Sequence, residues 1–140
     1  MSLYLDGSIV GKLLLAEPET SRVVQFVQRE TEVVISSLAR LEGLIIIHSL
    51  VAGGKLTEAN AHKRRVRLDK LMAFPKVRTV PCRATIFQIA EAQLSTVYCP
   101  TLDRLHLAVM QDLGLRRLLT NDDQQAAAAH VLGFEVLMPR

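Results

Sequence analysis

The chain has 140 residues, 49% hydrophobic but only 4% aromatic and without Trp, which suits one domain with a largely aliphatic core. Seventeen Lys and Arg against fourteen Asp and Glu leave a net charge of +3, enough to permit a polyanionic partner but too mild to demand one. Every apolar run is too short or too interrupted to cross a bilayer, MSLYLDGS lacks a charged leader, and Cys82 and Cys99 have no metal-ligand spacing; the expectation is a soluble, cytoplasmic protein with reduced thiols and no membrane partner.

In chain order, LYL (3–5) is a short apolar strand that ends at Asp6, Gly7 and Ser8, a helix-capping turn. IVGKLLLAE reads as a short helix stopped by Pro18, and residues 19–30 as a second, with Val23, Val24 and Val27 on one side. The β-branched run EVVIS (32–36) is a strand. Ser36 or Ser37 caps the next helix, which Gly53-Gly54 ends. Thr57 caps a polar, basic helix that runs to Pro75, followed by a strand at 76–80 and a helix at 84–96. Pro100-Thr101 opens a helix closed by Gly114, RRLLT (116–120) is a strand, NDDQQAAAAHVLG a capped helix, and FEVLMP a last strand. Strands that alternate with helices predict a single α/β domain over 1–140, with a largely parallel central sheet and helices on both faces.

Four acids fall where such a sheet binds ligands, beyond the carboxyl ends of its strands. Asp6 follows the first strand, Asp122 follows RRLLT, Asp103 lies in the first turn of its helix, and Glu42 lies in the second turn after EVVIS. Asp6, Asp103 and Asp122 each have a plain explanation as helix-start residues. Glu42 does not. It shares a helical stripe with Leu38, Leu41, Ile45 and Ile46, which reads as core-facing, so its carboxylate must reach water, pair with Arg40 or Lys12, or face a cation. Crowded carboxylates repel, and a hard divalent cation relieves them.

Four blocks in order resemble PIN-domain proteins of the VapC toxin type: YLDGSIVGKLLLAEPET, VVISSLARLEGL, TLDRLHLAVMQDLG and LLTNDDQQAAAAHVLGFEVL. The resemblance spans nearly the whole chain, although residues 55–98 match in helical character alone. It implies a PIN-like fold and a metal-dependent endoribonuclease, the toxin of a toxin–antitoxin pair, which hydrolyses RNA phosphodiester bonds. The family's acidic quartet maps onto Asp6, Glu42, Asp103 and Asp122. Asp6, Asp103 and Asp122 would hold Mg²⁺ or Mn²⁺, and Glu42 would hold metal-bound water or act as general base. Ser8 and Thr120 match the family's supporting hydroxyls. A cognate antitoxin and a homodimer are the implied protein partners. Gly7 departs from the pattern, because the family commonly has Thr there. A catalytically weak or inactive PIN-like domain, acting as an RNA- or protein-binding module, is therefore the alternative. A phosphatase of the haloacid-dehalogenase type is disfavoured, because Ser8 stands where that loop needs a second Asp.

Lys12, Lys63 and Arg67 are candidate phosphate contacts, the last two within the basic stretch HKRRVRLDK, where a solvated helix face is the plainer reading. His106, three residues after Asp103, reads as a structural histidine, since magnesium-type sites prefer oxygen. Asp123 reads as a helix-start residue.

Overall fold

The strands are β1 (Ser2–Leu5), β2 (Glu32–Ser36), β3 (Val77–Val80), β4 (Arg117–Leu119) and β5 (Glu135–Leu137). In the computed structural model, which describes residues 2–140, they form one sheet in the order β3-β2-β1-β4-β5, with every pairing parallel. Parallel neighbours need long crossovers, and helices supply them. They are α1 (Gly7–Leu14) and α2 (Thr20–Arg29), α3 (Ser37–Ala52) and α4 (Glu58–Met72), α5 (Thr85–Ala92) and α6 (Thr101–Leu113), then α7 (Asp123–Val131). Each strand and helix expected from the sequence is present, and the sheet is wholly rather than largely parallel.

The central strand explains its own composition. With helices on both faces, Leu3, Tyr4 and Leu5 of β1 are all fully buried, so an unbroken apolar run replaces the usual alternation. Leu3 and Leu5 join Val33, Ile35 and Leu119 on the face covered by α1 to α4, while Tyr4, Val34 and Leu118 join the face covered by α5 to α7. Each fully buried Leu or Ile contributes about 1.5–3 kcal/mol of burial free energy, so two aliphatic layers replace the missing aromatic residues.

The strand ends turn directly into helices through side-chain caps. Asp6 accepts from the Ile9 amide at the start of α1, Ser36 from the Ala39 amide at the start of α3, and Asp122 from the amides of Gln124 and Gln125 at the start of α7. Because β1 lies between β2 and β4, the chain leaves β1 toward one side of the sheet and returns from the far edge to the other. The crevice between the carboxyl ends of β1 and β4 is the switch point where open α/β sheets bind ligands.

The packing face of α3 differs from the stripe expected for it. Leu41 and Ile45 are exposed, and the buried residues are Ala39, Gly43 and Ile47, spaced by four. Close approach of α1 selects them: a Cβ built on Gly43 would stand 3.0 Å from Val10 Cγ1 and 3.2 Å from Leu14 Cδ1. Small residues therefore define the contact face, and larger aliphatics are displaced from it. Glu42 sits at the rim of this face, half-buried.

A side chain forced into the α1–α3 contact overpacks it. Gly43→Leu is expected to lower unfolding stability by about 1–3 kcal/mol, read as a reduced urea midpoint with an unchanged slope.

Candidate active site

Asp6 is the buried centre of the crevice, with 4% of its surface exposed. Ser8 Oγ donates to its Oδ1 at 2.6 Å, and the fully buried Thr120 Oγ1 donates to its Oδ2 at 2.5 Å. The Thr120 bond joins the end of β1 to the residue just after β4. A second layer of bonds fixes the two hydroxyls: the Asn121 amide donates to Ser8 Oγ and the Asp122 amide to Thr120 Oγ1. Burial pushes the Asp6 carboxyl above its ordinary value despite the donors from Ser8, Thr120 and Ile9.

Asp103, on the first turn of α6, faces the same crevice. Its carboxyl is pushed from 3.8 to about 6, first by burial, then by the negative charges of Asp122 and Asp6, with Glu42 adding to them. These shifts register four carboxylates in mutual electrostatic range, as the topology requires. They do not form a closed cage: among the described residues, no three His, Cys, Asp or Glu side chains stand close enough together to hold one ion. Three of the four acids are already engaged by protein donors. Asp6 is held by the hydroxyls and Asp122 caps α7 through Oδ1. Glu42 is held by His106. The donor set is oxygen-rich and uncompensated in charge, which fits a hard divalent cation in chemistry; the arrangement is a crevice of acids rather than a ready-made chelate.

The Glu42 question is answered by neither Arg40 nor Lys12. Arg40 pairs with Asp69 at 2.8 Å, and Lys12 pairs with Glu17 and Glu19. Glu42 Oε1 instead meets Nε2 of His106, a side chain 1% exposed. Behind the ring, Tyr4 Oη lies 2.6 Å from His106 Nδ1 and 2.9 Å from Ser36 Oγ. With Nε2 as a donor the bonds form a continuous chain: Ser36 donates to Tyr4, Tyr4 to Nδ1, and Nε2 to the carboxylate. Burial raises the Tyr4 phenol well above its ordinary range, so it stays a donor. His106 therefore has a structural footing, as read, but its outer nitrogen serves a site acid. The clue in the sequence was its place three residues after Asp103, on the same helical face.

Gly7 supplies the room. A Cβ built there would lie 2.5 Å from Glu42 Cδ and 2.6 and 2.7 Å from its two oxygens. The Glu42 carboxylate occupies the space that a side chain at position 7 would enter, so a larger residue there would require the carboxylate to move.

The basic candidates lie apart from this network. Lys12 is engaged by its two glutamates, and Arg67 reaches the Leu14 carbonyl at 3.4 Å, beside Arg64 at 3.1 Å. Lys63 lies on the exposed face of α4, where it lines a shallow groove with His62, Val66, Arg67 and Lys70. Asp123 is the first residue of α7 and pairs with Arg140 at 2.8 Å, as a helix-start acid would.

The raised Asp103 pKa has a pH signature. The folded state holds this proton up to about pH 6 and the unfolded chain releases it near 3.8, so this group favours folding most at acid pH and loses that contribution as pH rises through 6. Asp103→Asn is expected to raise the melting temperature of the metal-free protein at pH 7.5, with the gain shrinking toward pH 4.5. Equal gains at both values would contradict the coupling.

Comparison with known proteins agrees with this fold. Residues 3–131 match the PIN domain. The chain is 31% identical over 140 residues to Ribonuclease VapC46 of Mycobacterium tuberculosis, covering 99% of this chain and 98% of that protein. The crystal structure of M. tuberculosis VapC20, a Sarcin-Ricin loop cleaving toxin, superposes with a TM-score of 0.71 at 16% identity, over 94% of this chain and 95% of that one. A toxin–antitoxin complex from Klebsiella pneumoniae gives 0.65 at 16% identity, over 100% and 98%. A wholly parallel sheet of order β3-β2-β1-β4-β5, four acids around its switch point and a full-length relative at this identity place the chain in the PIN-domain family, as a protein of the VapC type.

Proposed function

We propose that the protein is a metal-dependent endoribonuclease and the toxin of a toxin–antitoxin pair, acting in the cytoplasm. The feature that carries this reading is the crevice at the carboxyl ends of β1 and β4, where Asp6 is buried with both oxygens held by Ser8 and Thr120, and where burial and then the charges of Asp122 and Asp6 raise the Asp103 carboxyl. That much uncompensated negative charge at a ligand-binding switch point needs a cation more than it needs a base. Asp6, Asp103 and Asp122 are the residues to hold Mg²⁺ or Mn²⁺, directly or through water. Bound there, the ion supplies a Lewis acid for the scissile phosphate and a more acidic water.

The chain's own part is orientation. Ser8 and Thr120 fix both oxygens of Asp6, so its lone pairs point at one place instead of sampling rotamers. Glu42 stands beside it as the group to accept a proton from the attacking water. The relatives support RNA as substrate, since one is a ribonuclease and another cleaves the sarcin–ricin loop. The K. pneumoniae complex supports an antitoxin partner. Exposed Phe87, Leu94, Tyr98 and Leu102, on and between α5 and α6, support a homodimer. Lys63, exposed on a groove that it shares with Arg67 and Lys70, is a candidate to meet a phosphate.

The test is cleavage of a mixed, structured RNA pool with Mg²⁺, with Mn²⁺ and with EDTA. Cutting is expected with the ions and absent with the chelator. Asp6→Asn should lose about 100-fold or more, the scale on which single charge-stabilising groups act in such sites. A folded protein that binds the pool without cutting it would favour the binding module instead.

A further inference from the structure

We propose that His106 is a positioning residue for Glu42, and that Gly7 is the gap in which it holds the carboxylate; the functional part of this rests on the nuclease reading above. Glu42 and His106 belong to opposite layers. The α3 helix packs with the face that holds Leu3 and Leu5, and α6 with the face that holds Tyr4. Their side chains meet around the carboxyl end of β1, over Gly7. The Nδ1 side of the His106 ring is satisfied within its own layer by Tyr4, and Nε2 reaches across the end of the sheet to Glu42.

The donor is itself fixed. Ser36 Oγ accepts the Ala39 amide, which leaves its own proton for Tyr4; Tyr4 in turn orients Nδ1, and Nε2 is aimed outward. The ring is 1% exposed and cannot swing away without vacating the core. One Glu42 oxygen is thereby committed to His106. Oε2 accepts no hydrogen bond among the described residues and is the oxygen left for a water or cation in the crevice. A Cβ at position 7 would overlap the carboxylate and push it off the ring. Outer partners that orient the carboxylates of a metal site, whether these meet the ion directly or through its water, typically cost about 10–100-fold in metal affinity or activity when removed.

Two readouts test it. In the metal-free protein, the ¹⁵N signals of the His106 ring are expected to shift in both Glu42→Ala and Gly7→Ala. Ring signals indifferent to both substitutions overturn the proposal. In calorimetric titration with Mn²⁺, His106→Leu is expected to weaken binding about 10-fold or more, and His106→Gln, which retains an N–H donor, to recover part of the loss. In a Glu42→Ala background, neither His106→Leu nor Gly7→Ala should weaken Mn²⁺ binding further. A loss as large there as in the wild type means that His106 acts on the fold and not through Glu42, and overturns the proposal. If His106→Leu fails to fold, Gly7→Ala and His106→Gln carry the comparison. A wild type that binds no Mn²⁺ and cuts no RNA, with ring signals that still respond, overturns the nuclease reading while supporting the placement of Glu42.

Discussion

A carboxylate buried at the end of the central strand is the constraint around which this molecule is organised. Asp6 terminates β1, caps α1 and is tied by Thr120 to the end of β4. An unpaired charge at that depth would cost several kcal/mol, and the protein meets the cost with three donors drawn from two strand ends. Those donors do not cancel it, since burial still raises the Asp6 pKa. The residual strain is concentrated at the crevice that strand order opens between β1 and β4, and violations of local stability rules gather where function requires them. Asp103 and Asp122 increase the strain. Nothing in the packing of two aliphatic layers calls for that accumulation of charge.

The second constraint is distance. For an acid on α3 to reach the end of β1, α3 must lie close against α1, and side-chain volume sets how close. Gly43 removes it on one helix, with Val10 and Leu14 filling the space, and Gly7 removes it at the start of the other, where the Glu42 carboxylate sits. The same approach explains why Leu41 and Ile45 are turned outward. An amphipathic stripe is a statement about which residues a neighbour can accommodate; a neighbour this near accommodates only small ones. Packing and site geometry are thus one arrangement, and overfilling the α1–α3 contact should disturb both.

Much of this was legible in the sequence, for identifiable reasons. Strand–helix alternation, the Asp, Ser and Thr caps and the closing Gly114 are local signals, and each marked a real element. The acids could be assigned to one edge because topology alone brings strand ends together. Glu42 drew attention through a stripe that proved to be misplaced; the residue lies at the rim of the packing face, where its carboxylate meets His106. What could not be read were contacts between side chains far apart in the chain. Tyr4, Ser36 and His106 are separated by 32 and 70 positions, and no periodicity joins them. Gly7 was visible as a departure from a pattern, but the group that occupies the space beside it lies 35 residues away in Glu42.

The charge accumulation also links protonation, stability and ion binding. With a pKa near 6, Asp103 exchanges its proton close to neutrality, and it must be unprotonated to serve as a ligand. A cation held there, as the proposed function requires, would compete with protons for the same carboxylate, and either would relieve the repulsion among Asp103, Asp122 and Asp6. The metal-free fold is strained most where that acid is ionised and nothing balances it. An ion bound as the proposed function requires would recover stability there by mass action, because the unfolded chain has no such crevice to offer. Asp6 does not share this freedom equally. Its oxygens are held by Ser8 and Thr120, so it provides the fixed point, while Asp103 provides the adjustable charge. Acids with different degrees of constraint can thus divide the work within one crevice: one sets the geometry, and another sets how strongly the site responds to pH.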